Sequence, residues 1–313
     1  MNIELADEAL EYGIQVRRAL EAAGGDELVR KAEAQPAERE TIARVLGDLG
    51  AWELTPRADA VELEAAAAVC RSAGYWAAPY PVAERLARPA DLDVDGLVVI
   101  GEINPMAAIA GLDLRWAAVD LDGRRSLVTA AQPDVPPRNS AFVSPLRSTP
   151  QDENGAGDIA LGLVLPCWTL LGMLDRAIDL ARDHVAVRHQ FGQALSQFQS
   201  VQFQLTDAEV ERAGVEMLAR YALWSIQEGN DQAVDDALAL RLAAIEAADV
   251  VLRVAHQLHG ALGFCDEATL SWLSRYSWPV RRLPLGRAAT ENLLTRRLAR
   301  SGLAGLFSDP RGV

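Results

Sequence analysis

The sequence predicts a mainly α-helical chain with a small β-domain in its middle and a helical bundle at its C-terminal end. Apolar residues recur at helical spacing before residue 88 and again after residue 157. Short β-type runs lie between these regions and flank an Asp-Gly turn. Six prolines fall from Pro105 to Pro150, in the stretch that lacks helical patterning. The expected divisions are residues 1–90, 91–153 and 154–313, the last holding a four-helix bundle.

In chain order, Leu5, Ala9, Leu10, Ile14, Val16 and Leu20 form the first helical stripe, which Gly24-Gly25 ends. Residues 61–73 form an Ala-rich helix, and Pro79 and Pro81 break the pattern after it. Leu97-Val98-Val99-Ile100 reads as a strand. Trp116-Ala117-Ala118-Val119-Asp120-Leu121 and Ser126-Leu127-Val128-Thr129 read as a hairpin around Asp122-Gly123. Helices are then expected over residues 159–186, 198–227, 233–262, 267–277 and 286–301. Leu238, Leu242, Ile245, Leu252, Ala255 and Leu262 make one stripe of the third. Four or five helices with short connections imply a bundle.

Composition excludes several chemistries. The 313 residues carry 30 basic and 44 acidic side chains, a net charge of −14, which argues against binding nucleic acid through a basic surface. Of the basic residues 29 are Arg and one is Lys31, so neither a GxxxxGK phosphate loop nor a Schiff-base lysine is available. Cys70, Cys167 and Cys265 stand apart with no CxxC pair, which argues against a zinc ribbon or an iron–sulfur site and fits a reducing cytoplasm. The acidic N-terminus lacks the pattern of a signal peptide, and the apolar run of residues 159–174 is short for a bilayer span. A cytoplasmic protein is expected.

Two segments can carry chemistry. Arg188-His189-Gln190-Phe191-Gly192-Gln193-Ala194-Leu195-Ser196-Gln197-Phe198-Gln199 joins two helices. Its Arg can grip phosphate oxygens bidentately and Phe191 can pack on a ring, although a polar inter-helix loop has the same composition. Gln257-Leu258-His259-Gly260-Ala261-Leu262-Gly263-Phe264 closes the third bundle helix. Its glycines permit close backbone approach to a diphosphate, and a glycine cap is the plain alternative. His256 and His259 are three apart on a helix but lack further ligands, so no metal site is expected. Seven arginines lie from Arg275 to Arg300, where they could meet a partner's acidic surface or a cofactor's phosphates, or form solvated helix faces. Trp168, Trp224, Trp272 and Trp278 read as core or interface.

Together these segments resemble the acyl-CoA dehydrogenase family. The first is similar to its R-x-Q-F-G…F-Q segment and the second to its Q-x-x-G-G-x-G segment, with Ala261 at the second Gly. Val201-Gln202-Phe203-Gln204-Leu205-Thr206-Asp207 is similar to the start of the following family helix. The resemblance implies an N-terminal helical domain, a middle β-domain and a C-terminal four-helix bundle. It also implies FAD and conversion of an acyl-CoA to its trans-2-enoyl thioester, with an electron acceptor such as an electron-transfer flavoprotein. Arg188, Gln190, Phe191, Gln199, Gln257, Gly260 and Ala261 would hold the adenosine and diphosphate part of an FAD whose ring lies in a neighbouring chain.

The sequence departs from the family pattern at the reacting centre. One family position for the base falls near Ala160-Leu161-Gly162, where no carboxylate stands, and Asp158 is displaced from it. The other falls near Leu283-Pro284-Leu285-Gly286, with Glu291 too far along. The ring-binding Thr-Glu-Pro segment is missing, and Gly101-Glu102-Ile103-Asn104-Pro105-Met106 stands near its place. In these departures the chain resembles the shortened subunit of actinobacterial heterotetrameric acyl-CoA dehydrogenases, a resemblance that implies a non-catalytic subunit of an α2β2 enzyme, working with an unlike subunit on a bulky, steroid side-chain acyl-CoA. The rivals are a complete homodimeric enzyme using Glu291 or another carboxylate, and a flavin-free helical scaffold.

Overall fold

A computed structural model describes residues 3–101, 103–131 and 142–302. Glu102, Pro133, Pro136 and Pro137, which entered the sequence reading, lie outside the described residues.

The chain opens with α1 (Asp7–Ala22), α2 (Asp26–Ala34), α3 (Arg39–Asp48), α4 (Ala60–Tyr75) and the short α5 (Val82–Leu86). Asp59 caps α4 by accepting from the Glu62 N–H at 3.0 Å. A five-stranded sheet follows, built from β1 (Gly96–Val99), β2 (Met106–Ala107), β3 (Trp116–Val119), β4 (Arg125–Ala130) and β5 (Ser144–Asp152) in the order β1-β3-β4-β5-β2. The expected Asp122-Gly123 hairpin joins β3 to β4, with Gly123 at φ +89°. β1 pairs with β3 in parallel, and Val98, Ala107, Ile109, Trp116, Ala118, Val128 and Leu146 form a small apolar core for the sheet.

The helical C-terminal part comprises α6 (Ala156–Val187), α7 (Gln199–Gln227), α8 (Ala233–His259), α9 (Thr269–Arg282) and α10 (Arg287–Ser301). A two-residue-strand hairpin, β6 (His189–Gln190) and β7 (Gln193–Ala194), separates α6 from α7. One apolar core runs through α1, α3, α4, α6, α7 and α8, with Trp168 buried in it. Two expectations need correction. The helix ending the third stripe stops at His259, because Gly260 turns to φ +61°, and Leu262 lies beyond it, half exposed in a 3₁₀ turn. The apolar run near residue 159 belongs to a 32-residue helix that is long and apolar enough to cross a membrane, but 83% of its apolar window is buried inside the molecule. α6 is thus the central core helix, all-round apolar because α4, α7, α8 and α9 surround it.

α4 and α6 cross at glycines. A Cβ on Gly172 would come within 1.9 Å of the Arg71 carbonyl oxygen, and one on Gly74 within 1.9 Å of that of Thr169. The sheet is tied to the start of α6 by ions. Arg125 on β4 donates from Nε to Asp158 at 2.7 Å, and Arg57 reaches the other oxygen of Asp158 at 3.0 Å.

Candidate functional site

The two motif segments meet at one end of the bundle. α6 and α8 both end there, and the rings of His184, in the last turn of α6, and His259, the last residue of α8, stack with centroids 4.5 Å apart and an interplanar angle of 18°. Arg188 follows as the C-cap of α6, with its N–H donating to the His184 carbonyl. Its side chain is exposed and forms no ion pair with a carboxylate among the described residues. The hairpin then turns through Phe191 and Gly192, at φ +55° and +84°. Positive φ at both central residues gives a type I′ turn. A left-handed backbone is disfavoured at Phe191, by about 1–2 kcal/mol for a non-glycine residue. Phe191 stands 90% exposed there, edge-on to Phe198 at 6.2 Å.

Gln190 on β6 and Gln199 at the start of α7 are exposed. From the other segment, Gln257, Gly260 and Ala261 are also exposed, and nothing lies within 4 Å of a Cβ placed on Gly260. The seven residues therefore sit on two segments that the His184–His259 contact brings to one end. Exposed apolar side chains accompany them: Val187, Phe203, Leu262 and Phe264, the last stacked on His256 at 4.6 Å. An unpaired guanidinium, free amides and an open glycine fit an adenosine diphosphate tail, and the bare aromatic rings fit a covering polypeptide.

Both positions at which the resemblance places a base open on a single crevice elsewhere. Gly162 on α6 and Pro284 after α9 line a cavity of about 70 Å³ with Val98, Val99 and Met106. A second cavity of about 70 Å³ adjoins it through Glu84, Ala108, Pro166, Pro279 and Val280. Each has room for only a few waters, far less than a drug-sized ligand pocket of roughly 300 Å³ or more. Pro166 cannot donate to the Gly162 carbonyl, which leaves that oxygen without its usual helical donor at the crevice wall.

Two buried guanidinium groups brace the crevice through carbonyls. Arg39, pushed down to about 10 by burial, donates from Nε to Pro79 O at 2.6 Å and from its terminal nitrogens to Ala110 O and Ala108 O. Arg241 holds the turn after α9 by donating to Val280 O at 3.1 Å and Leu285 O at 2.6 Å.

Neither expected carboxylate reaches this crevice. Asp158 is buried and locked by Arg125 and Arg57. Glu291 is exposed on α10. Glu84 on α5 lines both cavities, and desolvation raises its carboxyl above the usual range against the pull of Arg39. Sequence reasoning missed it, since the only local signal is a carboxylate three residues after Pro79-Tyr80-Pro81. The basic C-terminal run is largely paired: Arg275, Arg281, Arg287 and Arg297 each bridge to an acid. Among the described residues, no group of three His, Cys, Asp or Glu side chains could hold a metal ion.

The combination of helices, small sheet and bundle defines a fold class that comparison identifies. Residues 162–298 match the family model for the acyl-CoA dehydrogenase C-terminal domain. The ChsE4-ChsE5 complex from Mycobacterium tuberculosis superposes with a TM-score of 0.75 at 18% identity, covering 97% of this chain and 100% of that one. A steroid ACAD variant, Tcur3481-Tcur3483 G363A, gives 0.78 at 17% identity over 94% and 98% of the two chains. PigA with FAD and proline gives 0.69 at 13% identity over 96% and 99%.

In sequence, acyl-CoA dehydrogenase FadE28 of Mycobacterium tuberculosis is 34% identical over 92 residues, 29% of this chain and 27% of that protein. (R)-benzylsuccinyl-CoA dehydrogenase of Thauera aromatica is 32% identical over 104 residues, 33% and 26% respectively. The chain thus matches only about a quarter of the length of these curated relatives. Residues 162–298 thus match the C-terminal domain of the acyl-CoA dehydrogenase family, and the chain as a whole shares the fold of these solved structures.

Proposed function

We propose that this chain is the non-catalytic subunit of an FAD-dependent acyl-CoA dehydrogenase that forms a trans-2-enoyl-CoA from a bulky, steroid side-chain acyl-CoA. The observation that carries this is the convergence of Arg188 and the Gln257–Gly260 segment at one exposed bundle end, away from the crevice on which both expected base positions open. Arg188 donates to the diphosphate oxygens, Gln190, Gln199 and Gln257 offer amides, and the backbone around Gly260 and Ala261 lets the tail approach closely. Phe191 and Phe264 pack against the chain that holds the flavin ring. The chemistry FAD supplies when bound is acceptance of a hydride from the acyl chain. The base, the ring-binding loop and the acyl pocket belong to an unlike subunit in an α2β2 assembly, because this chain's crevice is too small for ring and substrate. A heteromeric complex and a steroid ACAD among its structural neighbours support that choice.

The second reading, a self-sufficient enzyme, is favoured by one observation: Glu84 is a desolvated carboxyl at the crevice. Substituting Glu84→Gln in the assembled enzyme separates the two. We expect turnover to stay within about twofold, whereas loss of a catalytic base would lower kcat by about 10²-fold or more. Such a loss would transfer the base role to this chain.

A further inference from the structure

All four histidines of the chain lie at this bundle end: His189 and His259 within the two segments, and His184 and His256 in the last turns of the helices, α6 and α8, that lead into them. His184 and His259 stack at 4.5 Å, a distance at which two imidazolium rings repel. The charges acting on the stacked rings and on His256 are cationic. His184 feels His259 and Arg188 from its own and the neighbouring segment, and His256 feels His259, with the Gly263 backbone of the following turn against it. Burial lowers all three first, and these charges lower His184 and His256 further. The Nδ1 of His259 lies 2.8 Å from Ala255 O and donates to it, which leaves Nε2 with a lone pair. The result is a cluster of bases held neutral beside an unpaired guanidinium.

An anion there reverses the balance, since it favours the imidazolium form of each ring it faces. We propose that His184 and His259 are further diphosphate-binding residues, and that a diphosphate at this end of the bundle draws a proton from solvent onto the stacked pair. This rests on the reading of the bundle end as the seat of the flavin's tail. It goes beyond that reading by making the grip proton-linked. The step is a proton uptake: a hydronium ion of the solvent loses one O–H bond and leaves as water, and the lone pair of one neutral imidazole nitrogen forms the new N–H bond of the cation that faces the phosphates.

The test uses the full chain labelled at histidine, with its imidazole resonances followed by NMR across about pH 5 to 8. ADP-ribose serves as the probe, because its diphosphate is a diester that does not titrate in this range. It is expected to raise the titration midpoints of His184 and His259 by about one unit, equivalent to tenfold tighter binding to the protonated form. His184→Gln should leave the upward shift of His259 with ADP-ribose in place, since that ring faces the anion itself, and leave the circular dichroism of the chain unchanged. Resonances that shift with ADP-ribose but keep their midpoints would overturn the proton linkage while leaving the tail site standing. Resonances indifferent to ADP-ribose at every pH would overturn both. A response to coenzyme A alone would overturn the assignment to a flavin tail.

Discussion

Phe191 shows what a single residue can reveal. A bulky side chain in the left-handed region is costly, yet here it holds a ring almost wholly in solvent. Such strain is retained where another surface uses the ring. Phe191→Asn should therefore stabilise the isolated chain by about 1 kcal/mol, as Asn accepts positive φ more readily. The same change should weaken FAD retention in the assembled enzyme. Thermal melting and flavin content measured on the same preparation check both halves. The residue scale is also where the sequence was most legible: Arg188, Gln190, Phe191, Gln257 and Gly260 stand out as distinctive chemical types in two short stretches, and the fold brings those stretches to one bundle end. Glu84 was not legible, because its position at the crevice depends on α5, α6 and α9 meeting, which no local pattern encodes.

At the scale of elements, helices were easier to read than strands. The long bundle helices carry an apolar period over many turns, so their centres were clear and only their ends shifted, as at His259. The parallel pairing of β1 with β3 and the long β5 were not visible, since pairing is non-local and β5 is largely exposed and interrupted by Pro145 and Pro150. The crossing of α4 on α6 was equally silent in the sequence, yet it fixes the architecture. Gly172→Ala places a methyl against the Arg71 carbonyl and forces two core helices apart. It should cost about 2–4 kcal/mol, read as a lowered denaturation midpoint. A midpoint equal to that of the parent chain would show that the helices are not so closely packed.

Across the whole molecule, charge binds distant segments together. Glu216 on α7 is bonded to Arg71 of α4, Arg212 and Arg220. Burial pushes its carboxyl up, but the bonds and charges of these arginines outweigh that and hold it at about 2, below its ordinary 4.5. A folded value below the unfolded one gives stability that is present above about pH 4.5 and lost as pH falls toward 2. Glu216→Gln should lower stability at neutral pH by about 1–3 kcal/mol, after allowance for solvent screening, and flatten the acid side of the stability curve. Acid titration of the two proteins followed by circular dichroism checks this, and superimposable curves would contradict it.

Assembly also belongs to this scale, because the proposed tail grip has a use only beside a chain that supplies the acyl pocket. The most direct test is the visible absorbance of the chain expressed alone and together with its unlike subunit. The lone chain should be colourless and inactive. The pair should be yellow and active, and Arg188→Ala should strip flavin from it by tenfold or more without lowering its melting temperature. A yellow, active lone chain, or a pair whose flavin ignores Arg188→Ala, would contradict the division of the site between two subunits.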